Sequence, residues 1–327
     1  MILPGTDPEA ILAAARTIAA GGLVGFPTET VYGLGADASS DAAVAGIFAA
    51  KSRPAEHPLI VHVAGVQQVP DYASSVPLFA SRLMKAFWPG PLTVILPRKP
   101  DVAKAAAGGQ DSIGLRCPAH PVALAFLTAC GTGIAGPSAN RFGRVSPTTA
   151  QHVVDEMGNA LLVLDGGPCE VGIESSIVDC TRDHPVLLRP GVLTAFQLEA
   201  ACGEPVLHRN KAKPLRGAAP RASGTLASHY APDAKVRLMD AAALQTALDL
   251  LGSEAANIAV YTRTMVRIKS EKVIYRRMPD DALATAQQLF AVLRDFDAKG
   301  VKLIWIETPP PSAPWDGVRD RLERAAG

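Results

Sequence analysis

The most informative stretch of this chain reads Phe26-Pro27-Thr28-Glu29-Thr30-Val31-Tyr32-Gly33-Leu34-Gly35. It starts at the end of an apolar run, Leu23–Phe26, which predicts a short buried strand. Pro27 then ends the strand, and a turn rich in hydroxyl groups and glycines follows. Hydroxyls and free backbone N–H groups at the end of a strand suit a polar or anionic ligand. The stretch therefore predicts one wall of a binding site.

Strand-like and helix-like patterns alternate outward from this stretch. Further strands are predicted at Leu59–Val63, Leu92–Leu96, Ile113–Arg116, Gly133–Gly136, Leu161–Leu164, Ser176–Val178 and Val186–Arg189. Helices are predicted after the cap Asp7 and at Ala42–Lys51, Pro77–Phe87, Pro121–Ala129 and Thr148–Glu156. Short strands that alternate with helices are typical of an α/β fold, here with a substantially parallel and partly mixed sheet flanked by helices.

The pattern changes after residue 206. From 207 to 232 the chain has no Asp or Glu, while basic residues gather beside prolines and glycines, which predicts a linker. A second, smaller α/β pattern follows, with strands at Val236–Met239, Ile258–Tyr261 and Leu303–Ile306 and helices at Ala241–Leu251, Asp281–Asp297 and from Asp316 onward. We therefore predict a first domain at 1–206, a basic linker or lid at 207–234 and a smaller Rossmann-like α/β domain at 235–327.

The amino-acid composition limits the classes of protein to which this chain can belong. The 327 residues are 48% hydrophobic and 19% charged with a formal net charge of +1, which is typical of a globular protein with no overall attraction to nucleic acid or membranes. The five cysteines are scattered and form no Cys-x-x-Cys pair, which argues for reduced thiols and against a disulfide framework or zinc site. No leader and no apolar run of membrane-spanning length is evident, so a cytoplasmic location is expected.

Several familiar sites are missing from the sequence. There is no Gly-x-x-x-x-Gly-Lys-[Ser/Thr] loop, and Gly33-Leu34-Gly35 does not complete a dinucleotide fingerprint. Gly136-Pro137-Ser138-Ala139-Asn140 begins like a nucleophile elbow but has Asn140 in place of the last glycine. The histidines lack metal-ligand spacing, so no protein-built metal site is expected. The remaining hydroxyls, arginines and lysines suit a reaction run by positioning and charge neutralisation, such as nucleotidyl transfer.

Six motifs stand in one order along nearly the whole chain. They are residues 27–34, Lys51-Ser52-Arg53, Ser138-Ala139-Asn140, residues 172–179, Leu188-Arg189-Pro190-Gly191 and His229-Tyr230-Ala231-Pro232. Together they resemble the threonylcarbamoyl-AMP synthase family in its two-domain Sua5 form. The resemblance implies a YrdC-like first domain with a twisted mixed sheet. It also implies synthesis of L-threonylcarbamoyl-AMP from L-threonine, bicarbonate and ATP with release of pyrophosphate, for a separate transferase that builds t6A at position 37 of tRNA.

The resemblance also implies roles for individual residues. The implied threonine-binding set is Thr30, His62, Arg116, Gly136 and Ser176. The implied ATP-binding set is Arg53, His57, Ser112, Ser138, Ser146, Arg189 and Tyr230. The implied catalytic residues are Lys51, Arg53 and Asn140. Lys51 and Arg53 would neutralise the triphosphate, and Asn140 would orient the nucleotide or its Mg²⁺, which phosphate oxygens and water mainly hold.

Three positions depart from the family pattern, and several residues have a structural alternative. His57 stands where many relatives carry Asn, Ser112 stands where Thr is common, and Ser176 follows a serine instead of leading a Ser-Thr pair. In these alternatives, Thr28 and Thr30 cap a turn and His62 is a core histidine. Arg116 and Arg189 form interdomain salt bridges. Tyr230 only attaches the linker to the core, and Asp179 caps the end of a strand.

Other functions remain open at this point. A non-catalytic module that binds tRNA or double-stranded RNA would use the basic linker, although a solvated spacer is the preferred interpretation of that segment. A relative that transfers carbamoyl from carbamoyl phosphate lacks support, since its zinc-finger and acylphosphatase-like extensions are absent from the sequence. We expect the linker to fold over the first domain's pocket with Tyr230 near ATP. The second domain has a regulatory, lid-anchoring or oligomerising role that the sequence does not distinguish.

Overall fold

The computed structural model describes residues 1–208, 220–224 and 229–327. Within these residues the N-terminal strands form an eleven-stranded sheet and the C-terminal strands form a four-stranded sheet. The large sheet contains β1 (Ile2–Pro4), β2 (Val24–Phe26), β3 (Gly33–Asp37), β4 (Ile60–His62), β5 (Leu92–Pro97), β6 (Ser112–Arg116), β7 (Ile134–Ala135), β8 (Leu162–Asp165), β9 (Ser176–Asp179), β10 (Val186–Arg189) and β11 (Leu207–His208).

The large sheet mixes parallel and antiparallel neighbours equally. Its strand order is β1-β8-β2-β3-β7-β4-β6-β5-β9-β10-β11. The neighbours β1–β8, β8–β2, β4–β6, β5–β9 and β10–β11 run parallel, and the remaining neighbours run antiparallel. The prediction of a mixed sheet flanked by helices is confirmed, with more antiparallel pairing than a mainly parallel sheet would have.

The helices of this part are α1 (Pro8–Ala19), α2 (Asp41–Lys51), α3 (Val69–Tyr72), α4 (Leu78–Phe87), α5 (Pro121–Cys130), α6 (Ala150–Met157) and α7 (Ala195–Cys202). Local capping explains where several of them begin. The Asp7 carboxylate accepts a hydrogen bond from the Glu9 backbone, as predicted, and Ser40 caps α2 in the same way. The sequence patterns missed α3 and α7, which are short, and the strands β1 and β11.

The turn predicted through Gly35 was wrong in its second half. Gly33–Asp37 is strand β3, which pairs with β2 so that Gly33 lies opposite Phe26. A Cβ at Gly33 would lie 2.7 Å from the Phe26 ring, and one at Gly35 would lie 3.1 Å from it. These glycines therefore allow β3 to pack against an aromatic ring, and only residues 27–32 form the turn.

The second sheet is entirely parallel in the order β12-β15-β13-β14. Its strands are β12 (Lys235–Met239), β13 (Ile258–Thr262), β14 (Ile274–Arg277) and β15 (Leu303–Glu307), and its helices are α8 (Ala241–Leu251), α9 (Ala282–Ala298) and α10 (Asp316–Ala326). The predicted elements of this part are confirmed. Strand β14 was missed because three of its four residues are exposed and two are arginines, which hides a strand pattern.

The two parts of the chain share a hydrophobic core. Val31, Val145 and Ile173 of the first part pack in one cluster with residues of the second, such as Phe290 and Trp315. The backbones also approach closely, since a Cβ at Gly172 would lie 2.3 Å from the Gln287 carbonyl oxygen. Arg294 of α9 forms an ion pair with Glu156 of α6 at 2.9 Å. The second domain is thus packed directly against the first.

Among the helices in the described part of the chain, none has the length and apolar character needed to cross a bilayer. The domain limits at 206 and 234 stay a prediction, and β11 shows that residues 207–208 still pair with the large sheet. Of the basic linker, residues 209–219 and 225–228 lie outside the described residues.

Candidate active site

A small cavity of about 40 Å³ lies against the large sheet, beneath residues of the linker. Seven of the residues predicted for the site line it: Arg53, His62, Arg116, Gly136, Ser138, Arg189 and Tyr230. The other lining residues are Thr28, Val31, Gly33, Ile60, Pro137, Glu174, Ser175, Ser223, Gly224 and His229. Ligand pockets usually measure about 300–1,000 Å³. The linker residues therefore close this cavity to a size well below that of a nucleotide.

Arg116 is held by partners from the turn that follows β2. Its Nη2 forms an ion pair with Glu29 Oε1 at 2.6 Å, and its Nη1 donates to Thr30 Oγ1 at 2.8 Å. Its Nε donates more weakly to the Gly90 carbonyl oxygen at 3.4 Å. A guanidinium has five N–H donors, so two remain for a ligand in the cavity. Glu29, which sequence reasoning did not single out, fixes this arginine and also accepts from the Ala119 backbone.

His62 presents an unpaired nitrogen next to Arg116. Its Nδ1 is buried and has no hydrogen-bond partner, and its ring meets the Phe26 ring edge-on at 5.5 Å. Burial, aided by the nearby Arg116 guanidinium, lowers the pKa of His62 to about 3, so the ring is neutral near pH 7. Gly136 permits this packing, since a Cβ there would lie 3.0 Å from His62 Nδ1. The arrangement differs from a satisfied core histidine.

The two threonines of the turn have different surroundings. The Thr28 hydroxyl donates to the Val31 carbonyl and accepts from backbone N–H groups, which is a turn cap as the structural alternative proposed. The Thr30 hydroxyl instead accepts from Arg116 and bonds to Thr28 Oγ1 at 2.9 Å. Ser176 lies at the start of β9, where its hydroxyl donates to the Leu193 carbonyl at 3.3 Å, and it does not line the cavity.

Arg53 and Arg189 meet at a linker residue, Ser223. Arg53 Nη2 donates to the Ser223 hydroxyl at 3.3 Å, and Arg189 Nη1 donates to the Ser223 carbonyl oxygen at 2.9 Å. Arg189 is also anchored by two bonds to the Ser175 carbonyl. Arg53 Nε is buried without a partner, and burial lowers the pKa of Arg53 to about 10. The alternative that Arg116 and Arg189 form interdomain salt bridges is wrong for the described residues.

Lys51 and Asn140 stand behind the cavity wall instead of lining it. Lys51 Nζ donates to the carbonyl oxygens of Ser138, at 2.5 Å, and of Asn140. Burial lowers the pKa of Lys51 well below its usual value. Asn140 Nδ2 donates to the Arg141 and Arg144 carbonyls, while its Oδ1 is buried without a partner. Lys51 therefore fixes the backbone of the Ser138–Asn140 loop.

Three residues of the predicted ATP set are not brought to the cavity surface. His57 is half-buried and packs edge-on against Phe142 at 5.4 Å. Ser112 begins β6 on the same face as Gly114, which lines a second small cavity with residues 221–223. The Ser146 hydroxyl donates to Glu174 Oε1.

Glu174, Ser223 and His229 line the cavity but were not predicted as site residues. Glu174 and His229 lie inside motifs quoted from the sequence, so their positions carried a signal, whereas nothing in the sequence marked Ser223.

Asp179 accepts from the Thr181 backbone and hydroxyl and pairs with Arg182, so the prediction of a strand-end cap is confirmed. Within the described ranges no group of three or more His, Cys, Asp or Glu residues could hold a metal ion.

The arrangement concentrates positive charge around one enclosed space. Arg53, Arg116 and Arg189 line the cavity together with the unpaired hydroxyl of Tyr230 and the neutral ring of His62. Guanidinium groups with free N–H donors bind carboxylates and phosphates through paired hydrogen bonds. The cavity therefore has the chemistry to bind a small carboxylate at Arg116 and a polyphosphate at Arg53 and Arg189.

Comparisons with known proteins agree along the whole chain. The Sua5/YciO/YrdC family model, described as telomere recombination, matches residues 16–191. The model described as the C-terminal domain of threonylcarbamoyl-AMP synthase matches residues 193–327. Threonylcarbamoyl-AMP synthase of Bacillus subtilis is 38% identical over 99% of this chain and 95% of its own length.

Two solved structures from Pyrococcus abyssi resemble this fold closely. Sua5 complexed with L-threonine has a TM-score of 0.88 at 36% identity and covers 98% of this chain and 95% of its own. A Sua5 variant with one histidine and one tyrosine replaced by alanine has a TM-score of 0.90 at 35% identity and covers 100% and 96%.

Proposed function

The chain belongs to the threonylcarbamoyl-AMP synthase family of enzymes, and we propose that it makes L-threonylcarbamoyl-AMP from L-threonine, bicarbonate and ATP, releasing pyrophosphate. The observation that carries the proposal is the placement of Arg53, Arg116 and Arg189 around one cavity, each with N–H donors to spare. In this reaction the carbamate of threonine attacks the α-phosphate of ATP, so an amino acid and a triphosphate must share one enclosed space.

Threonine would bind at the end of the cavity that contains Arg116. The two free N–H donors of Arg116 suit the amino acid's carboxylate. The unpaired Nδ1 of neutral His62 would accept from the ammonium or hydroxyl group of the substrate. Thr30, Gly136 and Ser176 support this end by orienting Arg116, leaving space beside His62 and packing beneath the site. The Pyrococcus abyssi protein was crystallised with L-threonine, which is consistent with such a site.

ATP would bind at the end that contains Arg53 and Arg189. The donors of these arginines now bond to Ser223, so phosphate oxygens would replace the Ser223 hydroxyl and carbonyl. Residues 220–224 must therefore move for ATP to enter and would close again over the nucleotide, with the free Tyr230 hydroxyl facing it. Closure would exclude water from a product that hydrolyses readily. Ser138 lines this end, whereas His57, Ser112 and Ser146 would border the nucleotide only after residues 220–224 have moved.

The catalytic roles proposed for Lys51, Arg53 and Asn140 are of two kinds: neutralising the charge of the phosphates and orienting the nucleotide. Arg53 would neutralise the phosphates by direct contact. Lys51 would hold the Ser138–Asn140 loop and add its positive charge without contacting the nucleotide. Asn140, whose side chain lies behind the cavity wall, would orient the nucleotide or its Mg²⁺ through the Ser138–Asn140 loop. Mg²⁺ would arrive with ATP, held mainly by phosphate oxygens and water.

The product would supply a separate transferase that modifies adenosine 37 of tRNA to t6A. We place this chemistry in the cytoplasm, where the five free cysteines suit a reducing environment. A weak contact between the basic linker and tRNA would accompany the enzyme's function without being required for it.

The test is an exchange assay in which labelled pyrophosphate enters ATP only when L-threonine and bicarbonate are added. Arg53→Ala should lower kcat/KM for ATP by at least about 100-fold, because it removes a charged phosphate contact. Arg16→Ala, at an exposed position of α1, is the control and should leave the rate unchanged. Exchange without threonine, or a fully active R53A variant, would reject the proposal. Salt-sensitive RNA binding with no exchange would point to the RNA-binding alternative.

A further inference from the structure

A buried arginine of the second domain reaches the wall of the cavity. Arg321 of α10 is 1% exposed, and its Nε forms an ion pair with Glu174 Oε2 at 2.8 Å. Its Nη2 donates to the Glu174 backbone carbonyl at 3.0 Å, and its Nη1 donates to the Pro190 carbonyl and to Asp320. The side chain is thus fixed at each of its three nitrogens, across the boundary between the domains.

Glu174 lines the same cavity as the arginines of the ATP end. A carboxylate there opposes the binding of a polyphosphate, because like charges in a site of low dielectric repel strongly. Arg321 neutralises this carboxylate, and the other carboxylate oxygen accepts from the Ser146 hydroxyl. The charge of Glu174 is therefore compensated by a residue of the second domain.

Arg321 also contacts the aromatic ring that closes the cavity. Its guanidinium carbon lies 5.3 Å from the centre of the Tyr230 ring. On the same ring, Phe290 of α9 stacks at 5.5 Å with an interplanar angle of 28°. The Tyr230 hydroxyl has no partner of its own and borders the cavity. Residues of two helices of the second domain thus pack on the ring that carries this hydroxyl.

We propose that Arg321 is a positioning residue for the ATP end of the site. It neutralises Glu174 and holds the Tyr230 ring in place, so the second domain completes the nucleotide pocket. This inference rests on the proposed function, since it assigns the polyphosphate to this end. It gives the second domain a specific role, which the sequence left open. Arg321 itself touches no substrate, so its loss acts on nucleotide binding through Glu174 and Tyr230.

The test compares Arg321→Met, Glu174→Gln, the double variant R321M/E174Q and the control Arg319→Met, all in the full-length chain. Arg319 lies on the same helix, and its side chain bonds to Asp316 and to the carbonyl oxygens of Pro310 and Ser312, away from the cavity. Steady-state pyrophosphate release gives KM for ATP, KM for threonine and kcat, and thermal unfolding confirms that each variant is folded.

R321M should raise KM for ATP by about tenfold with kcat and KM for threonine changed less, because the uncompensated carboxylate weakens nucleotide binding. Adding E174Q should bring KM for ATP back to within about threefold of the wild type, since the repelling charge is gone. E174Q alone removes the negative charge at the cavity wall, while Arg321 keeps its bonds to Asp320 and to the Pro190 carbonyl, so it should lower KM for ATP. R319M should match the wild type in every constant.

Three outcomes would overturn the inference: an unchanged KM for ATP in R321M, no rescue in the double variant, or a raised KM for ATP in E174Q. If R321M does not fold, the direction of the E174Q effect alone decides the question. A wild-type protein that shows no threonine-dependent turnover would reject the proposed function instead, and calorimetric titration of ATP into wild type and R321M would still test the inference.

Discussion

The two ends of the cavity are built in different ways. At the end proposed to bind threonine, Arg116 is held by Glu29 and Thr30, and all three residues belong to the large sheet and its β2–β3 turn. At the ATP end, Arg53 and Arg189 bond to Ser223 of the linker, and Tyr230 and Glu174 are held by Arg321 of the second domain. One end is organised by the first domain alone, whereas the other needs three parts of the chain.

Under the proposed function, this difference would divide the work of one reaction between the parts of the chain. A rigid amino-acid site lets the small substrate bind without rearrangement. A nucleotide site completed by the linker and the second domain would open for a larger ligand and close over it if residues 220–224 move as proposed. The predictions below test whether the two ends respond separately.

The largest effect is expected at the threonine end, from Arg116→Ala. Threonine-dependent pyrophosphate release should fall by about 1,000-fold, because the substrate carboxylate loses its paired donors and faces the unpaired Glu29. ATP affinity, measured by calorimetry, should stay within about threefold of the wild type. Arg82→Ala is the control, since Arg82 is exposed on α4 and bonds to the Cys202 carbonyl of α7, and neither residue lines the cavity. If R116A lost ATP affinity by the same factor as threonine-dependent activity, the two ends of the cavity would not act independently.

An intermediate effect is expected from Gly224→Ala in the linker. A Cβ there would lie 2.2 Å from the Tyr230 hydroxyl and 2.9 Å from Arg189 Nη1, so the closed linker cannot keep its position. We expect kcat to fall by about 30-fold, or about 2 kcal/mol, with threonine affinity unchanged.

Gly300→Ala is a matched control for the Gly224 variant. Gly300 has φ +70° against +71° for Gly224, but a Cβ at Gly300 would meet nothing within 4 Å. G300A therefore carries the same left-handed backbone strain without the collision. Similar losses of kcat in both variants would show that strain alone, and not closure of the linker, explains the result.

The smallest effect on activity is expected from pH. Burial lowers the pKa of His62, at the threonine end, and of His229, in the linker, to about 3 each. Both rings stay neutral between pH 7 and 8, so threonine affinity should be constant over that range.

The same two histidines should make folding sensitive to acid. Because their folded pKa lies below the unfolded value of about 6.5, their stabilising contribution is complete above that pH and is lost as the pH falls toward 3. Between pH 7 and 5 each should reduce the free energy of unfolding by about 2 kcal/mol. Urea unfolding of His62→Gln and His229→Gln measures this, and a slope as steep as the wild type in either variant would show that its histidine is not responsible.

The sequence predicted the elements with clear local signals. Strands such as Val186–Arg189 and the helix capped by Asp7 formed as expected, because periodic apolar residues and caps act over a few positions. Strand β3 was missed because Gly33 and Gly35 read as turn residues, while their actual role is contact with the Phe26 ring.

The sequence predicted many of the residues that the candidate site contains, but not how these residues bond to one another. Seven expected residues line the cavity, since they lie in motifs that the sequence displays. The pairing of Arg321 with Glu174 joins residues 147 positions apart, and no local pattern could indicate it. The same holds for Ser223, an ordinary linker serine until the fold places it between two arginines.

The position of Ser223 has a thermodynamic consequence. A group bonded to the arginines of its own chain acts as a tethered competitor, whose effective concentration does not change when the protein is diluted. Any anion entering this space gains only the difference between its own contacts and those that it displaces. Weak anions should therefore bind less tightly than they would to free arginines, whatever the protein concentration, and a ligand with several phosphate oxygens is favoured.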